Sequence, residues 1–255
     1  MPLRTDYDYY KRGIVSRFDV DSSSYGTLRA YGSLGVKVQA DMEREAILRV
    51  INSLRSKRAL DVGCGLGRYM VFTAKRLDVV GLDISVNMVR AAKQTLKNLD
   101  IVLADMEYIP FRDSSFELVY SIRAMKYLSN QAKFLREARR VCSHEGCVLL
   151  YDIWNAKNVS YLFSETCLRF MSILRPHDFP PEMRRMNHLL IKRTLEQWDG
   201  CEVQTRGILF LPLLIYARTS SRSLLRIFTI FDKLLSRLPF SQYLAFSVLY
   251  VAIRR

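Results

Sequence analysis

With 255 residues, 49% of them apolar, the chain can bury one α/β core with an elaboration and is too short for a second large domain. Lys and Arg outnumber Asp and Glu by 39 to 25, and the net charge of +14 points to an anionic partner such as RNA, anionic lipid or a phosphorylated substrate. Five cysteines form no C-x-x-C pair and do not cluster with the three histidines, which argues against a zinc site or a disulfide framework, and no metal is expected.

The start, Met1 to Tyr7, has no apolar signal-peptide core, so a cytoplasmic location is expected. Residues 1–35 are rich in Tyr, Ser and Gly with weak periodicity and read as an N-terminal cap. From Val36 to Leu54 the apolar spacing (Val38, Met42, Ala46, Ile47, Val50, Ile51, Leu54) predicts an amphipathic helix that leads into the first strand, Ala59 to Val62. Gly63, Gly65 and Gly67 close that strand as G-x-G-x-G around Cys64, and a helical pattern follows from Arg68. A strand, a glycine turn and a helix N-terminus predict a concave site with free N–H groups. Dinucleotide loops read G-x-G-x-x-G instead. Asp61 also places a carboxylate there, which disfavours a pyrophosphate and favours an ammonium or sulfonium group.

A second strand, Val79 to Asp83, ends in an acid twenty residues after Gly63, where a carboxylate can accept from ribose hydroxyls. Ser85 is placed to N-cap a helix to Lys97 with Met88, Val89 and Ala92 inward. Asp100 to Leu103, Phe116 to Ile122 and Cys147 to Ile153 are the next strands, with a helix from Gln131 to Val141 and a turn at 143–146 that carries a surface His144.

The ordered runs Leu60-Asp61-Val62-Gly63-Cys64-Gly65-Leu66-Gly67, Gly81-Leu82-Asp83-Ile84-Ser85, Ala104-Asp105 with Ile109-Pro110-Phe111, and Ser115-Phe116-Glu117-Leu118-Val119 resemble the motifs of Rossmann-like (class I) S-adenosylmethionine-dependent methyltransferases. The nearest flavour is the ubiquinone/menaquinone-biosynthesis, or type 11, group, and the resemblance covers roughly residues 55–155. It implies a doubly wound, mostly parallel seven-stranded α/β sheet. It also implies S-adenosylmethionine as cofactor and S-adenosylhomocysteine as product. The glycine turn (Gly63, Cys64, Gly65) and Asp61 would hold the methionine end, and Asp83 the ribose. Asp105, Ile84 and Met106 would hold the adenine, Ser121 would stand at the fourth strand tip, and Tyr25 would cover the cofactor. Members of that group often carry paired histidines after the fourth strand; here the run is Ala124-Met125-Lys126-Tyr127-Leu128, with Lys126 read as an exposed helix-entry residue.

The chain then divides into a cofactor-binding half (36–154), a helical lid insertion (155–197) and C-terminal strands with an amphipathic helix (198–255), all within one domain. The lid carries His177, and His188 follows near its end; both are candidates for a general base. Val203 to Phe210 and Ser247 to Ile253 are the last two strands, and the resemblance implies that the final one runs antiparallel beside the fifth. Between them, from Arg222 to Leu238, Leu224, Leu225, Ile227, Phe228, Phe231, Leu234, Leu235 and Leu238 share one helical face, and Arg222, Arg226, Lys233 and Arg237 share the other. Such a helix suits an anionic membrane surface, the sheet or a partner. The expected activity is methyl transfer to a small, apolar or lipid-like acceptor, with peripheral contact at the inner membrane face. An RNA methyltransferase and a catalytically inactive cofactor-binding subunit are the competing readings.

Overall fold

The computed structural model describes residues 4–21, 33–153, 188–211 and 213–254. Tyr25, His177 and nearly all of the expected lid lie outside them. Seven strands form one sheet in the order β3-β2-β1-β4-β5-β7-β6. They are β1 (Arg58–Val62), β2 (Asp78–Asp83), β3 (Asp100–Leu103), β4 (Phe116–Ile122), β5 (Cys142–Ile153), β6 (Cys201–Leu209) and β7 (Ser247–Arg254). The first five run parallel, and β7 lies antiparallel between β5 and β6. The chain order reverses direction between β1 and β4, which makes that junction the switch point where open α/β sheets bind ligands.

The strands are apolar because both faces are covered. Alternate residues go to opposite cores: Ala59, Leu118, Tyr120, Leu149 and Leu249 to one, Leu60, Val62, Val119, Leu150 and Val248 to the other. The first core lies under α2 (Leu34–Ser53), capped by Ser33, and the single-turn α3 (Met70–Thr73). Helix α4 (Val86–Thr95) has the expected Ser85 cap and buries Met88, Val89 and Ala92. Helix α5 (Gln131–Val141) covers the second core together with α6 (His188–Glu196), through Phe134, Leu135, Ile191 and Leu195. The turn expected at 143–146 is a bulge within β5, where pairing with β4 jumps from Cys142 to Cys147.

Two elements differ from the sequence reading. Residues Arg4–Asp21 form a continuous helix, α1, although their periodicity is weak. Long-range polar contacts anchor it: Asp19 accepts from Asn87 N–H at 3.0 Å, and Lys11 pairs with Asp105 and Glu107. The helix after the glycine turn is only four residues long. Beyond β6, α7 (Leu213–Arg218), α8 (Arg222–Leu235) and α9 (Ser241–Leu244) complete the chain order.

Helix α2 meets α7 at Gly35, where an added Cβ would stand 1.8 Å from the Tyr216 carbonyl oxygen. Gly35→Ala is therefore expected to cost about 1–3 kcal/mol in urea unfolding. Gly13→Ala, with nothing within 4 Å of the new methyl, should cost nothing. Equal stability of the two variants would disprove the tight α2–α7 contact.

Candidate active site

The exits of β1 and β4 approach closely. Gly63 has φ +77°, and a Cβ there would lie 2.5 Å from the Ala124 methyl, so only glycine lets the two strand tips converge. The turn then folds onto β2. Gly63 and Cys64 both donate N–H to the Leu82 carbonyl, at 2.7 and 3.0 Å, and Gly67 N–H donates to the Cys64 carbonyl at 2.9 Å. Gly65 N–H donates to Asp83 Oδ2 at 2.7 Å. This corrects the expectation of free turn amides: those four donors are already taken, and the helix that follows is a single turn. An anion cradle is not what this loop offers.

A cleft opens over these tips. Gly63, Gly65, Asp83, Ile84, Asp105 and Met106 all line it, so six of the expected site residues are brought together. Asp61, Cys64 and Ser121 do not line it; they stand one layer behind. Asp61 is 3% exposed and hydrogen-bonded to the Tyr120 phenol, which in turn lies 2.9 Å from Thr73 Oγ1. Burial keeps the Cys64 thiol well above its ordinary pKa. His188 is the first residue of α6.

Residues that the sequence reading passed over complete the walls. Helix α1 contributes Lys11, Ile14 and Phe18, and the Phe18 ring meets the Tyr127 ring edge-on at 4.9 Å. Lys11 pairs with Asp105, whose other oxygen accepts from Glu107 N–H at 2.9 Å. Buried Glu107 accepts from Ser129 Oγ at 2.7 Å and from Asn130 N–H at 2.9 Å. Arg123, in the left-handed region at φ +62°, pairs with Glu43 of α2. Glu43 had a legible signal: Gln39 and Glu43 sit in step with Ile47 and Ile51 on the buried face of α2.

Lys126 is not exposed as expected. It is 4% exposed, and its ammonium binds Asp152 Oδ1 at 3.0 Å and the Arg123 carbonyl at 2.7 Å. The parallel β4–β5 pairing carries Asp152 beneath it. The residue standing where members of the resembled group often carry paired histidines is thus a buried structural cation. Among the described residues, no group of three or more His, Cys, Asp or Glu could hold a metal.

The methyltransferase domain family matches residues 60–150. Over these residues the chain carries a class I, S-adenosylmethionine-dependent methyltransferase domain. An uncharacterized protein of Methanocaldococcus jannaschii is 32% identical over 162 residues, covering 60% of this chain and 60% of that protein. The demethylmenaquinone methyltransferase of Thermotoga maritima is 26% identical over 146 residues, 56% of this chain and 62% of that one. The chain therefore spans under two thirds of the length of these curated relatives. Among solved structures, a SAM-dependent methyltransferase from Thermotoga maritima shares the fold with TM-score 0.64 at 13% identity, over 93% of this chain and 98% of that one.

Within this methyltransferase domain, the field at the turn has a measurable consequence. Burial, opposed by the Tyr120 hydrogen bond and reinforced by Asp83, pushes Asp61 from 3.8 up to about 8. Between those values the folded chain keeps a proton that the unfolded chain has released. Stability from this group is thus greatest below pH 4 and declines as pH rises, by at most about 1.4 kcal/mol per pH unit. Asp61→Asn should be more stable than wild type at pH 8, with the difference shrinking towards pH 5 in urea titrations. A pH-independent difference would place the Asp61 proton elsewhere.

Proposed function

We propose that the protein transfers a methyl group from S-adenosylmethionine to a small, apolar or lipid-like acceptor, releasing S-adenosylhomocysteine. The observation that carries this reading is the cleft at the β1/β4 junction, where Asp83 and Asp105 stand between apolar side chains, Asp105 already paired with Lys11, and the turn amides are already bonded. That arrangement suits a nucleoside with a cationic tail better than a pyrophosphate. Asp83 would accept from the ribose hydroxyls while it continues to hold the turn. Ile84 and Met106 would flank the adenine, and its amino group would compete with the Lys11 ammonium for Asp105.

Among the described residues, Ser121 Oγ, Tyr69 Oη, one Arg68 guanidinium nitrogen, Arg123 Nε and Glu43 Oε2 are buried polar atoms without a hydrogen-bond partner. Tyr69 feels the charges of Glu43, Arg123, Arg68 and Asp61, so most of these groups form one cluster. A cofactor with an amino-acid end fits such a cluster, because leaving each polar atom buried and unpaired costs about 1–3 kcal/mol. Asp61, Cys64 and Gly65 would then support that end from behind the turn, and Tyr25 would cover it.

When bound, the cofactor supplies an electrophilic methyl group on a sulfonium. The chain's own work is to align the acceptor and exclude water, which suits the apolar side chains Ile14, Phe18 and Leu128. Lys126, committed to Asp152, offers no base; His177 or His188 would take any acceptor proton. The demethylmenaquinone methyltransferase among the relatives supports an apolar acceptor. The net charge of +14 instead favours RNA, and a catalytically silent subunit would bind cofactor without turnover.

Calorimetry should show S-adenosylhomocysteine binding and no response to NAD; the reverse would overturn the cofactor. Asp83→Asn should weaken S-adenosylhomocysteine at least about tenfold, since a charge-assisted hydrogen bond contributes about 1.5–3 kcal/mol. Transfer of labelled methyl into a lipid extract rather than RNA would support the acceptor class. Labelling of RNA alone would replace it.

A further inference from the structure

Helix α8 is held in one rotational setting. On its inner face Leu225 and Asp232 are buried, and the Asp232 carboxylate accepts from the Tyr216 phenol at 2.9 Å and from Phe210 N–H at 3.3 Å. With that face committed, only part of the apolar surface is covered. Leu224, Ile227, Ile230, Phe231 and Leu234 point to solvent, with Ile227, Ile230 and Leu234 each more than half exposed, at 58, 59 and 56%. At 3.6 residues per turn they occupy an arc of roughly 120°, and Arg222, Arg226 and Lys233 occupy the adjoining arc of roughly 40°, with Arg237 just past the helix end. Ile215 and Phe240 are exposed as well.

The helix also borders a cationic cleft. Arg49 of α2, Arg206 of β6, and Lys233 and Arg237 line it with a single acid, Glu45. Glu45 is shared between Arg49 at 2.7 Å and Lys233 at 3.0 Å. Arg206 donates to the Ser236 carbonyl and hydroxyl, and Arg237 has no ion-pair partner among the described residues. Burial and the nearby charges of Arg49 and Arg237 lower the Arg206 pKa, a mark of cations crowded without enough counter-charge. From 201 to 255 there are eight Lys or Arg against Glu202 and the buried Asp232.

We propose that this face docks on an anionic phospholipid membrane, the apolar arc of α8 entering the headgroup boundary and the Arg49–Arg206–Lys233–Arg237 cleft taking a lipid phosphate. An outward apolar arc beside a basic stripe is the pattern of a helix lying in a membrane interface. A second copy is a poor occupant, because pairing this face with itself would bring two basic stripes together. RNA would engage the cations and leave the apolar arc in water. Among the described residues no helix is long and apolar enough to cross a membrane, so the contact is peripheral.

Co-sedimentation of the full chain with vesicles tests the surface. Wild type should sediment with phosphatidylcholine/phosphatidylglycerol vesicles at low salt, release at high salt, and ignore pure phosphatidylcholine. Ile227→Ser/Ile230→Ser/Leu234→Ser and Arg226→Gln/Lys233→Gln/Arg237→Gln should each weaken binding at least about tenfold. S-adenosylhomocysteine affinity, measured in parallel, should not change. Because vesicle binding does not depend on the cofactor, failure of the methyltransferase reading would leave this readout intact. Wild type staying in the supernatant with mixed vesicles would overturn the proposal, as would serine variants that bind like wild type. A dimer on gel filtration that the serine variants dissociate would assign the face to a second copy. Polyuridine binding that survives those variants, without vesicle binding, would assign it to RNA.

Discussion

The Asp83 carboxylate holds the glycine turn against the tip of β2, and the geometry of the cleft depends on that clamp. One oxygen accepts from Gly65 N–H and the other from Ser85 N–H at 2.9 Å, so a single side chain ties the β1 exit to the start of α4. Burial in this position raises the carboxyl pKa, because a charge there is desolvated; the two amide bonds oppose the shift. The close approach of Gly63 to Ala124 then brings the β1 and β4 tips together over the same cleft.

Around this clamp the chain spends its buried charges on joining elements. Lys126 and Asp152 tie the β4 exit to the end of β5, and Arg123 and Glu43 tie the same exit to α2. Lys11 with Asp105 and Glu107 ties α1 to the loop after β3. A buried pair is weak evidence for net stability, but removing one partner leaves an uncompensated charge, so each pair resists rearrangement. The cleft walls therefore come from five separate regions of the chain held in register by ion pairs and hydrogen bonds. Helix α1 is the least embedded of these, with an exposed Gly13 and polar contacts as its main anchors.

The same logic applies at the far edge of the sheet. Asp232 is a carboxyl group on the inner face of an otherwise apolar helix, pushed up to about 6 by burial. Its bond to Tyr216 sets the rotation of α8, and Gly35 sets the distance at which α7 meets α2. The exposed apolar arc and the cationic cleft follow from those two constraints. The methyltransferase core and the outer face are thus built by different residues, which lets each change without the other.

By itself, the amino-acid sequence determined the elements whose side-chain period is locally complete. The strand Phe116–Ile122, the helix Gln131–Val141 and the Ser85-capped helix appear where their patterns put them, because alternation and 3.6-residue spacing report which residues a two-layer environment will bury. The glycine spacing and Asp83 located the cleft, since a positive φ and a close strand approach restrict the residue type at the position itself. Only the tertiary structure decided the partners. Lys11 meets Asp105 across 94 positions and Arg123 meets Glu43 across 80, and no local pattern encodes such pairs. The formation of α1 despite its weak periodicity and the burial of Lys126 and Asp61 all depend on what lies opposite. Helix α8 shows the limit most directly. Its sequence divides an apolar side from a basic one, but which part of the apolar side is covered was settled by Asp232 finding Tyr216 and Phe210 in the assembled fold.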